Sequence, residues 1–229
     1  MFEIRYEIEW ITDTRLGTGL DAAGVDDVID SENGLPVVRG WRVKSALEEM
    51  LAAVGSGVPG AMPNGSHLCS RHADGGASSG GPQCPLCDLF GVVGAVDGSP
   101  LHFGSARLRD GMRGFLQALL RPSGGDAEPV EQDARAFIRA AASSALRRPV
   151  RSNRIDPFTG VADNQAFFSL EYGARVLPLR GVVRQTRPLS DMWAGARAVE
   201  LLRTGLHLID SIGGRRSRGG GHCLVTVMS

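Results

Sequence analysis

Phe2, Ile4, Tyr6, Ile8 and Trp10 alternate with Glu3, Arg5, Glu7 and Glu9 at the start of the chain, the period of two that lays one face of a strand on a core. Residues 12–36 then lose all periodicity and are rich in glycine and aspartate, which predicts a loop of about 25 residues; loops of that length in a compact domain are usually functional. From Trp41 the period turns helical, with Val43, Leu47, Met50 and Leu51 on one side and Lys44, Glu48 and Glu49 elsewhere. Gly40 stands just before this helix. Residues 55–83 are too polar and glycine-rich to build a core and read as an inserted excursion, closed by CPLCDLFG. SPLHFGSARL alternates as a strand. Residues 126–147 predict a helix with Pro129 tolerated in its first turn. Residues 150–172 predict an extended hairpin turning at Pro157 and Thr159-Gly160. RVLPLRGVVRQ is a strand, DMWAGARAVELLRTGLHLI a second strong helix, and HCLVTV the last strand.

Strand, helix, strands, helix, strand in this order predicts an α+β domain of the split βαβ, ferredoxin-like type. We expect a single domain over 1–229 with insertions at 55–90 and 145–175. At 229 residues and 42% hydrophobic content the chain can bury a sizeable core. The start MFEIRYEIEW has neither the basic opening nor the apolar block of a signal peptide, and no stretch nears a membrane span. A cytoplasmic location is expected.

The net charge of zero hides a division: residues 1–110 hold 8 basic and 15 acidic side chains, residues 111–229 hold 17 and 10. The second half alone has the charge of a polyanion binder. Opposite charge on the two halves also suits copies stacked head to tail.

Cys69-Ser-Arg-His72 and Cys84-Pro-Leu-Cys87 are two C-x2-[CH] pairs separated by 11 residues. Each pair can close one side of a tetrahedral zinc ion, with His67 able to replace His72. They sit in the segment least able to order itself, where a metal supplies folding energy. Four protein ligands leave no open position, so the metal is expected to be structural.

Near the carboxyl end, SIGGRRSRGGGHCLV puts Arg215, Arg216 and Arg218 around Ser217, between Gly213-Gly214 and Gly219 to Gly221. Glycines free the backbone, and exposed amides with arginines make an anion site. Because the order is helix, loop, strand, and no GxxxxGK[ST] occurs, nucleotide-binding loops are excluded.

Several features occur together: GLPVVRGWRVKSALEEM, a loop ending in glycine before a helix with a lysine one turn in; CPLCDLFG; RIDPFTGVADNQAFFSLE; and SIGGRRSRGGGHCLV. In this order they resemble the RAMP superfamily, and more narrowly the repeated backbone subunit of type III CRISPR effector complexes. The resemblance does not cover residues 111–145. It implies an RRM-like palm, a β-hairpin thumb over Arg154 to Glu171 that splays the guide–target duplex, and copies stacked along a guide RNA with other subunits. Gripping residues carried over are Gly40, Trp41, Arg42 and Lys44, with Arg154 in the thumb. The glycine loop contributes Gly213, Gly214, Arg215, Arg216, Ser217, Arg218 and Gly219.

The resemblance further implies cutting of complementary target RNA by a loop aspartate, where GVDDVID matches best at Asp26, with Asp27 one residue away. A divalent ion such as magnesium is implied for that chemistry. The same superfamily contains non-catalytic assembly subunits and stand-alone endoribonucleases that process precursor guide RNA. The latter usually rely on histidine, and the chain offers only His67, His72, His102, His207 and His222.

Overall fold

The alternating start of the chain forms β1 (Glu3–Trp10), with Ile4, Tyr6 and Ile8 fully buried. In the computed structural model the described residues are 1–18, 29–58, 62–63, 66, 68–69, 84–92, 98–121, 129–155, 158–173, 175, 177–193, 197–214, 216 and 219–229. β1 lies between β8 (Leu179–Gln185) and β9 (Cys223–Val227) and runs antiparallel to both. On its far side β8 pairs with β4 (Leu101–Phe103) and β5 (Arg107–Leu108), so the sheet order is β4-β8-β1-β9.

Two helices cover one face of this sheet. α1 (Gly40–Gly57) buries Val43, Leu47 and Leu51, the face its periodicity marks, and α5 (Arg197–Leu208) buries Ala198, Leu202 and Leu206. They cross closely at Gly205, where a Cβ would come within 2.7 Å of both Leu47 and Leu51. Each fully buried leucine contributes roughly 1.5–3 kcal/mol of apolar burial, so this seam with β1 is the centre of the core.

The other face of β1 explains the division of charge. Glu3 stands opposite Arg184 and Glu7 opposite Arg180 across the β1/β8 ladder, each pair at 2.6 Å. Arg109 joins Glu7 at 2.9 Å, and the guanidinium of Arg180, followed by that of Arg109, holds the Glu7 carboxyl below its usual range. Asp13 pairs with Arg148, and Glu49 with Arg216. Glu3, Glu7, Asp13 and Glu49 of the first half are thus met by arginines of the second within one chain, with Arg109 of the first half also on Glu7. The bulk charge split therefore counts for less toward polyanion binding or head-to-tail stacking than the sequence alone implies.

Three elements differ from expectation. The loop over 12–36 contains a small hairpin, β2 (Ser31–Glu32) and β3 (Leu35–Pro36). Its Asn33-Gly34 turn has both residues at positive φ, 54° and 78°, the conformation the Asn-Gly dipeptide favours in two-residue hairpins. The strand expected over SPLHFGSARL breaks at Gly104–Ala106 into β4 and β5, with Ala106 bridging to Val38 instead. Of the helix expected over 126–147, the described part is α4 (Pro129–Leu146), residues 126–128 lying outside the described residues, and a helix without a sequence expectation, α3 (Asp110–Leu120), comes before it. A short α2 (Pro85–Phe90) carries CPLCDLFG.

Among the described residues, β6 (Arg147–Ile155) and β7 (Ala162–Gly173) pair only with each other along their length, with a bulge between Asn153 and Ile155. An isolated two-stranded hairpin is marginal in water, so its base must be anchored. At the turn Phe158 is 96% exposed and Val161 65%. None of the described helices is long and apolar enough to cross a membrane.

Candidate nucleic-acid interface and metal centre

The segment just after β1 is where the hairpin, the glycine loop and α1 meet. Thr14 and Gly173, at the end of β7, exchange backbone hydrogen bonds of 3.0 and 2.8 Å. Glu171, only 9% exposed, accepts from the Ile29 amide at 3.0 Å, with Arg147 Nε 3.6 Å from its other oxygen. Gly17 bridges to Ile29, and the Asp30 amide donates to the Leu16 carbonyl at 2.9 Å. The two ends of the segment between them are therefore clamped together beside the hairpin base. Asp26 and Asp27 belong to that segment and lie outside the described residues.

The glycine loop closes on the same stretch from the other side. Gly214 donates to the Arg15 carbonyl at 2.8 Å and Gly221 to the Asp13 carbonyl at 3.0 Å. Gly213 (φ 105°) and Gly221 (φ 74°) both occupy left-handed backbone; a Cβ on Gly213 would fall 2.6 Å from the Arg15 oxygen, and one on Gly221 2.2 Å from the Ile212 oxygen. Here glycine is required twice over, by conformation and by backbone approach. Gly219 also has positive φ but faces open space. Arg216 pairs with Glu49 of α1 at 2.9 Å, both half-exposed; such surface pairs contribute little and yield readily to a phosphate. Arg215, Ser217 and Arg218 lie outside the described residues, as does the side chain of Arg154, whose backbone sits at the β6 bulge.

α1 completes the junction. Gly40, its first residue, lies against the β4 end so closely that a Cβ would meet the Phe103 carbonyl oxygen at 1.9 Å. Arg42 turns inward, donating from Nη2 to the Gly17 carbonyl at 2.5 Å, with Nε 3.6 Å from Asp30. Its guanidinium lies 4.5 Å over the Trp41 ring, which is 60% exposed, an arrangement that leaves an aromatic face for stacking. Lys44 donates to the Phe90 carbonyl at 2.6 Å. The sequence expectation named Gly40, Trp41, Arg42 and Lys44 but not Asp30 or Glu171, the two carboxylates that accept from Arg39 Nε and from the Ile29 amide inside the junction. A carboxylate in a Gly/Asp-rich loop, or at an alternating strand position, carries no local signal of burial. Glu171→Ala is expected to lower stability by about 1–3 kcal/mol, because the Ile29 amide loses its buried acceptor. Urea unfolding followed by circular dichroism measures it.

In the inserted segment Cys69, Cys84 and Cys87 converge, their sulfurs all within 4.8 Å of one another and Cys69 Sγ 3.6 Å from Cys87 Sγ. A tetrahedral ion with metal–sulfur bonds near 2.3 Å requires sulfurs about 3.8 Å apart, so the three thiols fit a metal. Cys84 caps α2 and Pro85 opens it, which turns Cys87 back toward Cys84. Burial, then the neighbouring Cys69 thiol, pushes the Cys87 thiol up to about 12 without a metal; a bound cation reverses this by favouring the thiolate. His72 and His67, the expected fourth ligands, lie outside the described residues. Cys223 is buried in β9 and takes no part in the cluster.

Fold and site define an α+β chain in which a projecting hairpin, a glycine loop and a helix start surround one clamped loop. Chains of two solved structures share this fold. One is from the type III-B Cmr-beta cryo-EM structure in the apo state, with a TM-score of 0.61, 14% identity, and 100% of this chain and 98% of that chain covered. The other is from type III-B Cmr-beta bound to cognate target RNA, with a TM-score of 0.62, 11% identity, and 99% and 97% covered. No protein-family model and no curated protein sequence matches the chain. At 11–14% identity the likeness is one of fold.

Proposed function

We propose that the protein is the guide-RNA-binding backbone subunit of a type III CRISPR effector complex, and that it cuts complementary target RNA through Asp26. One observation carries the reading: the ends of the Asp26 segment are clamped between the hairpin base, the glycine loop and the first turn of α1. These are the three elements the resemblance assigns to RNA. Support for a ferredoxin-like, RRM-like palm comes from the strand order β4-β8-β1-β9 with α1 and α5 on one face. β6 and β7 are its thumb, whose exposed Phe158 and Val161 suit unstacking of bases.

The guide backbone lies along α1 and the glycine loop, where amides and arginines meet phosphates without reading sequence. The thumb displaces a base of the target strand and aligns the adjoining 2′-hydroxyl with its phosphate. That oxygen attacks phosphorus, the P–O2′ bond forms as the P–O5′ bond breaks, and the products are a 2′,3′-cyclic phosphate and a 5′-hydroxyl that takes its proton from water. Asp26 accepts the hydroxyl proton or orients a divalent ion. Magnesium, held by Asp26 if bound, would supply charge stabilisation to the phosphate. The cysteine cluster holds structural zinc, away from the chemistry. Partners are the guide RNA, the complementary target, further copies of the chain and other subunits of the complex.

The test is RNA affinity as a function of salt. Changing Arg215, Arg216 and Arg218 together to alanine is expected to reduce the slope of log affinity against log salt by up to about 3, roughly one unit for each phosphate that is no longer neutralised. An unchanged slope would assign the loop a purely structural role.

A further inference from the structure

The cysteine cluster reaches α1 by three separate contacts. Cys84 and Cys87 lie at the start and middle of α2, and the α2 end supplies the Phe90 carbonyl that accepts from Lys44 Nζ at 2.6 Å. The Phe90 ring stacks on Phe103 with centroids 5.9 Å apart, and the Phe103 carbonyl is the group that abuts Gly40. Leu68, next to Cys69, packs with Met62 over Gly55, where a Cβ would meet Met62 at 2.7 Å and Leu68 at 3.0 Å. Through residues beside the cysteines, the cluster is therefore linked to the start of α1 at Gly40 and Lys44 and to its last turn at Gly55.

α2 is six residues long and is flanked by residues 70–83 and 93–97, which lie outside the described set. Among the described residues α2 is also held by the core, in which Leu86, Leu89 and Phe90 are buried, by Ser99, which donates to the Leu89 carbonyl at 2.8 Å, and by Ser190, which donates to Asp88 at 2.7 Å. A helix this short has little stability of its own. Three thiols packed together without a cation hold each other only weakly, whereas a metal joins Cys69 to Cys84 and Cys87 and contributes folding free energy directly.

We infer that metal at Cys69, Cys84 and Cys87 positions the RNA-gripping turn of α1, with Lys44 as the positioned residue and the Phe90 carbonyl as its hold. The inference rests on the proposed RNA-binding function and adds to it a dependence of the grip on metal. Lys44 has three donors; one is fixed on Phe90, which aims the remaining two. A lysine so held loses less freedom on meeting a phosphate than one swinging in solvent, and that lost freedom is part of the cost of binding.

The experiment uses the full chain, a fluorescein-labelled single-stranded RNA read by anisotropy, and elemental analysis for zinc. Removing the metal with a chelator is expected to weaken RNA binding about three- to tenfold and to reduce the salt slope by about 1, the share of one phosphate contact. Added zinc restores both. Lys44→Met is expected to keep its zinc, lose affinity to a similar degree, and lose little more on chelation. If wild-type protein binds RNA equally with and without zinc, or if the Lys44→Met and chelation losses simply add, the link is overturned while RNA binding stands. If the purified protein holds no metal, the link is likewise overturned. Absence of RNA binding in the zinc-loaded wild type overturns the function itself. Where chelation unfolds the chain, Cys69→Ser replaces it, removing one sulfur ligand at the partly buried cysteine while leaving α2 and its core packing intact. A loss of affinity supports the link, and unchanged affinity overturns it.

Discussion

Asp26→Ala, assembled with guide RNA and given a complementary strand in magnesium, is expected to cut at least about 100-fold more slowly, the lower bound for losing a positioned acid–base group. Affinity for guide and target should stay within about twofold, because the arginines, amides and aromatic faces proposed to hold RNA are elsewhere. The reason is positional. The segment carrying Asp26 is fastened at Gly17 and Ile29, and Ile29 is itself held by Glu171 at the base of the hairpin. A carboxylate on a segment so fastened can meet a strand displaced by that hairpin. Asp27→Ala is the internal comparison: if it abolishes cutting and Asp26→Ala does not, the motif was aligned one residue out. If neither variant slows cutting, the catalytic role fails and the chain is an assembly subunit.

The sheet and its two covering helices were legible because each has a clean period. β1 alternates without exception over its four apolar positions, and α1 and α5 bury the faces their spacing marks. The β2/β3 turn carried a readable sign in Asn33-Gly34, yet the surrounding run of glycine and aspartate hid it. α3 escaped because Gly111 and Gly114 lower its helix propensity and it buries no residue fully, although Met112, Leu116 and Leu120 share one side and the last two pack partly against the core. The site was legible by residue type but not by arrangement. Nothing in the order of the chain says that Arg42 faces Gly17 and Asp30, or that the acidic first half is paired with the basic second. Those are long-range pairings, set by the β1/β8 register and by the return of the glycine loop over residues 13–15.

Packing and propensity pull in opposite directions at one end of α1 and not at the other. Alanine is the better helix former by about 1 kcal/mol in a helix interior, so propensity alone makes both Gly40→Ala and Gly57→Ala stabilising. Gly57 has nothing within 4 Å of the added carbon, and its substitution is expected to be neutral or to stabilise by up to about 1 kcal/mol. At Gly40 the same carbon would lie 1.9 Å from the Phe103 oxygen and 2.6 Å from its carbonyl carbon. Both obstructing atoms are backbone of β4, which is tied to β8 by its ladder, so no side-chain rotation relieves the contact. Relief requires α1 to lift from the sheet edge. Overpacking of this kind costs about 1–3 kcal/mol and more where nothing can move aside, which outweighs the propensity gain. Gly40→Ala is therefore expected to lower the urea midpoint clearly while Gly57→Ala does not. Because Arg42 and Lys44 stand on the lifted turn, RNA affinity should fall with the first substitution and hold with the second. Equal stability of the two variants would mean that α1 does not abut β4 as closely as Gly40 allows.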